Sequence, residues 1–288
     1  MYSSCCRWTG WRNVTSAASS ESRKPSMRRF LQWSRAALIG LMFAAGLATV
    51  GLLFPVLRCL PLLPARRLEG AIQVAWYSAL LSILGVNVRV TGRPCPDAAL
   101  WVSNHVSWLD IVLLGTCRPL TFVAKSEVGT WPLVGFLAKG TGTLLVRRGD
   151  LASSGLVADR MTWLLRQGQA VALFPEGTSS TGPAVMRFHA RLFGPAVRVG
   201  ARVQPVAIRY HGAGCEHVPF VGDDDFLPHL WRLLGERRIA VELSFCPPVT
   251  ASGKARDELA AQTRSHVVSA LGGDAAEHLV HGLRRNRN

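Results

Sequence analysis

Polar and apolar positions divide the chain into segments of different texture. Residues 1–35 are Ser-rich and basic, with Arg7, Arg12, Arg23, Lys24, Arg28, Arg29 and Arg35 set against a single acid, Glu21. Such a stretch predicts a disordered arm, either a solvated tail or one that lies on an anionic membrane surface. Charge then stops: Ala36 to Leu57 reads AALIGLMFAAGLATVGLLFPVL. These 22 residues can cross a bilayer, for which about 20 suffice in a helix. A secretory signal peptide also follows a basic region, but this run is long for one and no small-x-small cleavage site precedes a soluble start. A second uncharged stretch, Gly70 to Val88, follows a turn holding Pro55, Pro61, Pro64, Arg58, Arg66 and Arg67. The two stretches form either one membrane span plus a domain on the far side, or a helical hairpin over 36–88 that returns the chain to its starting side.

Beyond residue 86 the pattern changes to short apolar runs alternating with helix-length amphipathic pieces. The runs at 86–91, 99–103, 120–124, 143–147, 170–174, 203–210 and 239–245 predict strands, and residues 151–168 predict a helix. Strands alternating with helices imply an α/β fold, a mixed and largely buried sheet flanked by helices. The expected organisation is an arm (1–35), a membrane-anchoring hairpin (36–88), a catalytic domain (89–272) and a frayed basic tail (273–288).

Composition narrows the class. With 49% hydrophobic and 18% charged residues, the chain is too apolar for an ordinary soluble domain and too polar for a multi-span transporter. A net charge of +15 directs the surface toward polyanions. No zinc-finger spacing, basic-leucine heptad or aromatic RNA-binding signature accompanies it, so an anionic membrane is the expected partner and nucleic acid is not. The seven cysteines (5, 6, 59, 95, 117, 215 and 246) show no C-x-x-C pairing and no metal-ligand rhythm with histidine. They read as reduced thiols, and no metal site is expected.

Chemistry concentrates where apolar runs end. The run ALWVS leads into Asn104 and His105, and Asp110 follows five residues after the histidine. An aspartate bonded to one ring nitrogen fixes the tautomer and leaves the other nitrogen able to take a proton. The same residues taken alone also suit a capping histidine and a helix-starting acid. FPEGTSS (174–180) ends another run: Gly177 permits an unusual backbone angle, Thr178, Ser179 and Ser180 are good helix caps, and Glu176 could bond to substrate hydroxyls. An ordinary strand-to-helix turn uses the same residue types. Lys125 ends a third run, and GTLLVRR (142–148) delivers Arg147 and Arg148, of which only one can face a given side. Ligands collect at the carboxyl ends of strands in open α/β sheets. No G-x-S-x-G elbow, Walker loop or H-E-x-x-H motif is present, so the set offers a base, an orienting acid and anion holders without a protein nucleophile. Direct transfer to a hydroxyl acceptor suits it.

These residues resemble the glycerolipid acyltransferases, the group of 1-acylglycerol-3-phosphate acyltransferases. NHVSWLD matches their N-H-x4-D block, GTLLVRR resembles G-x-x-F-x-x-R with Arg148 at the arginine, FPEGTSS resembles F-P-E-G-T-R-S, and VQPVAI (203–208) resembles the fourth block. The resemblance implies that His105, held by Asp110, deprotonates the acceptor hydroxyl for direct attack on an acyl thioester. Arg148, Lys125 and the Glu176–Gly177–Thr178 turn would hold the acceptor. The donor would be acyl-CoA or acyl carrier protein, with no further cofactor. The expected acceptor is the lysolipid 1-acyl-sn-glycerol-3-phosphate, giving phosphatidic acid at the cytosolic face of the inner membrane, and these cytosolic substrates favour the hairpin. Ser179 stands where the third block carries arginine, and residues 187–196 lack the usual lysines. The second departure is closer to the branch acylating lyso-ornithine lipid, the alternative acceptor. A non-catalytic membrane adaptor would explain only anchor and charge, and a thioester hydrolase would use His105 on water.

Overall fold

The computed structural model describes residues 25–60, 64–97, 99–147, 149–182, 184–222 and 224–273. Helix α1 spans Pro25–Ala48. The winding loosens to π-type over Thr49–Leu53 and tightens again in α2, Phe54–Cys59. The looser turn directly precedes Pro55, whose missing N–H and bulky ring an unbroken α-helix would not accommodate. Helix α3, Ala65–Leu84, ends at Gly85, which adopts φ +71° and donates its N–H back to Leu81 and Ser82. The helix thus begins at Pro25, ahead of the arm boundary expected at residue 35. A proline at a first helical turn forfeits no hydrogen bond, and the arm's last residues gain tertiary partners there. Residues 1–24 of that arm, and 274–288 of the C-terminal tail, lie outside the described residues.

Helices α1 and α3 lie side by side. The Trp76 indole donates to the Met42 carbonyl at 3.3 Å, its ring meets Phe43 edge-on, and Arg58 forks onto Glu69 at 2.7 and 3.1 Å. Among the described residues, Ser26–Cys59 is the one helix long and apolar enough to cross a membrane. Its N-terminal half is fastened to the rest of the protein, with Gln32 donating to the Trp231 carbonyl and Arg35 to those of Leu234 and Glu236.

A mixed sheet follows, built from β1 (Val86–Thr91), β2 (Ala99–Ser103), β3 (Thr121–Lys125), β4 (Leu144–Val146), β5 (Val171–Leu173), β6 (Arg202–His211), β7 (Ile239–Phe245) and the short β8 (Val249–Thr250). The order is β1-β7-β6-β2-β5-β3-β4, with β8 pairing β6. Strands β6, β2, β5, β3 and β4 run parallel, β7 runs against β6, and β1 follows β7. Helices α4 (Leu109–Gly115), α5 (Val134–Gly140), α6 (Leu151–Arg166), α7 (Gly194–Val199), α8 (Phe226–Leu234) and α9 (Arg256–Ala270) connect and cover it.

The alternation of strand side chains divides the core into two layers. Ala99 and Trp101 of β2 join Leu84, Leu113 and Ile208 on one face, while Leu100 and Val102 join Met161, Phe193 and Leu259 on the other. Both faces of β2 are dry, which is why its first four residues, Ala99 to Val102, are all apolar. The five parallel strands present their carboxyl ends along one edge, and His105, Lys125, Arg147, Glu176 and Tyr210 all fall at or just beyond that edge.

Candidate active site

The chain leaves β2 at Asn104, whose side-chain amide donates to the Ile208 carbonyl and accepts from the Ile208 N–H, both at 2.9 Å. This clamp extends the β2–β6 ladder by one residue and sets the direction in which residue 105 departs. A tight turn then brings Asp110, in the first turn of α4, back beneath His105. Asp110 Oδ2 accepts from His105 Nδ1 at 2.8 Å and from the amides of Val106 and Ser107 at 2.7 and 2.9 Å. Its Oδ1 accepts from the Tyr210 hydroxyl at 2.7 Å. The carboxylate is fully buried, yet its four donors replace the water it has lost. Burial and the Asp110 charge push the Tyr210 phenol well above its ordinary range, so it stays protonated and donating.

With Nδ1 occupied by Asp110, the proton of neutral His105 sits on Nδ1 and Nε2 is left with its lone pair. Among the described residues no group bonds Nε2, and the side chain lines a cavity. Phe174 stacks on the imidazole at 3.9 Å between centroids, which fixes the plane of the ring.

The loop after β5 completes the site. Gly177 turns at φ +75°, a conformation favouring glycine, and returns its N–H to the Phe174 carbonyl at 3.0 Å. Ser180 donates its N–H to the His105 carbonyl at 2.8 Å and its hydroxyl to the same oxygen at 3.3 Å. The Ser179 hydroxyl bonds to the Phe220 carbonyl, and Phe220 donates to the Val106 carbonyl at 3.0 Å. Three loops are therefore tied together around His105.

Glu176 is the unusual member. It is 4% exposed, and no hydrogen bond of ordinary geometry reaches either carboxylate oxygen from the described residues. Burial drives its pKa up to about 8; the charge of Asp110 adds to the rise, while the amides of His105 and Met186 and the Arg264 charge oppose it. It is predominantly a neutral carboxylic acid near pH 7.

The cavity holds about 920 Å³ and runs from this polar end into an apolar interior walled by α1, α3 and the sheet domain, with Phe43, Val50, Trp76 and Leu137 on its surface. Lys125, Thr178, His189 and Arg191 line it as well. The structure thus brings together His105, Asp110, Lys125, Glu176, Gly177 and Thr178; Arg148 lies outside the described residues. Tyr210 is the member that sequence reading gave no role. Its only signal was its place near the end of a predicted strand, at the same edge as the other groups.

A family model described as Acyltransferase matches residues 87–209. The chain is 45% identical over 203 residues to a lyso-ornithine lipid O-acyltransferase of Pseudomonas aeruginosa, covering 70% of this chain and 78% of the relative. It is 30% identical over 218 residues to a 1-acyl-sn-glycerol-3-phosphate acyltransferase of Neisseria meningitidis, covering 74% and 84% respectively. The crystal structure of the 1-acyl-sn-glycerophosphate acyltransferase of Thermotoga maritima superposes with a TM-score of 0.60 at 23% identity, over 86% of this chain and 97% of that one, a likeness of fold.

Proposed function

Because the chain belongs to the acyltransferase family, we propose that it moves a fatty acyl group from a thioester onto the hydroxyl of a lysolipid, with lyso-ornithine lipid as the acceptor. The observation that carries this reading is the His105–Asp110 pair set at the polar end of an apolar cavity. His105 Nε2 takes the proton of the acceptor hydroxyl as its oxygen attacks the thioester carbonyl. Asp110 stabilises the imidazolium, its own position held by two amides and Tyr210. The tetrahedral intermediate expels the thiolate, which recovers the proton from His105; an ester and a free thiol result, and no acyl-enzyme forms. The donor is acyl-CoA or acyl carrier protein, whose acidity suits a chain of net charge +15. The apolar cavity takes a fatty chain, and Glu176, as a neutral acid, offers one donor and one acceptor to the polar part of the acceptor. Lys125 and Arg148 attract its anionic group. The Ser26–Cys59 helix and α3 attach the enzyme to the inner membrane, its catalytic domain facing the cytosol.

Two observations favour the lyso-ornithine acceptor. The relative at 45% identity carries that name. At position 179 a serine bonded to the Phe220 carbonyl replaces the arginine of the third block, removing one cation that a phosphate monoester would use. The second reading, 1-acyl-sn-glycerol-3-phosphate as acceptor, is supported by the Neisseria meningitidis relative and by Lys125 and Arg191 at the cavity.

The test compares membranes carrying the full chain and His105→Ala at matched levels. Labelled acyl-CoA or acyl carrier protein is supplied with both lysolipids in competition, and diacyl products and free fatty acid are followed by mass spectrometry. The expected result is His105-dependent ornithine lipid. A His105-dependent phosphatidate product instead moves the enzyme to the second acceptor. Free fatty acid alone identifies a thioester hydrolase, and two indistinguishable proteins overturn the catalytic reading.

A further inference from the structure

Helix α8 is a short amphipathic element that the proposed chemistry does not use. Its outer face exposes Leu227 (72%) and Trp231 (37%), one helical turn apart. The Trp231 ring packs edge-on against Trp33 of α1 at 5.0 Å, and Trp33 is itself 67% exposed beside the exposed Phe30 and Met27. Five large apolar side chains from two segments about 200 residues apart in sequence thus form one band, larger than the scattered apolar residues of an ordinary surface. The band is continuous with the apolar helix Ser26–Cys59. Exposed Arg29, Arg237 and Arg238 flank it, and tryptophan is the residue enriched at membrane–water boundaries. Leucine, tryptophan and arginine side by side fit the boundary of a bilayer with anionic headgroups, where apolar bodies sink and guanidinium groups reach phosphate.

The adjoining face of the same helix points inward. Phe226 and Leu230 line the cavity that ends at His105. Trp108, in the catalytic turn, meets Phe226 edge-on at 5.2 Å and donates its indole N–H to His229 Nδ1 at 3.0 Å. His229 is buried and kept neutral by that burial, and its Nε2 donates to the Val218 and Pro219 carbonyls at 3.2 and 3.1 Å. One short helix therefore has an outer face suited to lipid, an inner face on the cavity, and a hydrogen bond to the loop carrying His105 and Asp110.

We infer that α8, together with the facing half of α1, is a second membrane-contacting surface, seated in the boundary of an anionic bilayer, and the doorway through which a lysolipid leaves the bilayer for the cavity. The inference rests on the lysolipid acyltransferase reading. A lysolipid drawn in here keeps its tail in an apolar surrounding along the whole path. Sliding past Leu227 and Trp231, it meets Phe226 and Leu230, then Trp108, then the catalytic pair. Full exposure of the tail to water, which would oppose transfer more with every methylene, is avoided.

The experiment uses the full chain with Leu227→Glu, Trp231→Glu and their combination, and Leu227→Trp as the conservative control. Acyl transfer is measured with each lysolipid in two presentations: in phosphatidylethanolamine vesicles with or without phosphatidylglycerol, and as a short-chain acceptor dissolved below its micelle concentration. The expected result is that the glutamate variants lose at least tenfold with vesicle-borne acceptor, retain the wild-type rate with dissolved acceptor, and that Leu227→Trp retains both. Dependence on phosphatidylglycerol in the wild type is expected to weaken in the glutamate variants. Equal rates for variants and wild type in both presentations overturn the doorway, as does an equal loss in both, which would mark α8 as a purely structural helix. If the wild type transfers to neither acceptor in either presentation, it is the acyltransferase reading that fails.

Discussion

Replacing Glu176 by glutamine removes one titratable proton from the floor of the site while nearly preserving the shape of the side chain. In the folded protein the carboxyl titrates at about 8, against an ordinary 4.5. Below the ordinary value both folded and unfolded chains carry the proton, and folding is unaffected by it. Between the two values the unfolded chain releases the proton while the folded one retains it, so stability falls as pH rises, by about 1.4 kcal/mol per pH unit. Above pH 8 both states are ionised, and the accumulated loss levels off at roughly 5 kcal/mol. Glutamine carries no such slope. An uncharged amide placed among the same neighbours brings a pH-independent offset of about 1–3 kcal/mol if its own donors stay unsatisfied, so only the change across pH is diagnostic. Thermal unfolding of wild type and Glu176→Gln, followed at pH 5, 7 and 9 in one detergent, reads that change. The variant's midpoint relative to wild type should climb with pH, by roughly 10 °C between pH 5 and pH 9 at about 2–4 °C per kcal/mol. Parallel midpoints at the three pH values would refute the account of Glu176 as a buried neutral acid.

Two further substitutions address the catalytic pair. Asp110→Asn keeps the volume but loses the charge that stabilises the imidazolium, and presents an amide N–H or a weaker acceptor to His105 Nδ1; kcat should fall ~1,000- to 10,000-fold with KM little altered, as steady-state kinetics on vesicle-borne acceptor would reveal. Tyr210→Phe removes one of four donors to the buried carboxylate, and unfolding should register a loss of about 1.5–3 kcal/mol. Unchanged stability would mean that the Tyr210 hydroxyl contributes nothing net to holding Asp110.

Much of the fold was legible because burial leaves local traces. Seven apolar runs were read as strands, and all seven are strands; a covered strand must be apolar at regular positions whatever its neighbours are, and β1, largely exposed, shows the same alternation. The mixed, helix-flanked sheet follows from that alternation, as does the placing of His105, Lys125 and Glu176 at strand ends. The two-residue β8 carries too short a pattern to read. The His105–Asp110 bond was readable for a related reason: five residues can close one turn, and the donor amides of Val106 and Ser107 lie inside it.

Other features needed the folded chain. Tyr210 reaches Asp110 across 100 residues because β6 lies beside β2, and strand order leaves no periodicity in the sequence. Glu176 looked like a substrate-binding carboxylate; its neutrality comes from walls supplied by distant segments, whose exclusion of water outweighs the opposing amides of His105 and Met186 and the Arg264 charge. The basic stretch ending at Arg35 reads as disordered because it is Ser-rich and basic, yet from Pro25 onward it is helical, with Gln32 and Arg35 bonded to carbonyls within and just after α8. Local sequence determined which segments are apolar and where polar groups leave them. Tertiary structure decided which of those groups meet and how dry their meeting place is, because hydrogen-bond partners and dielectric surroundings belong to the packed chain rather than to any one segment of it.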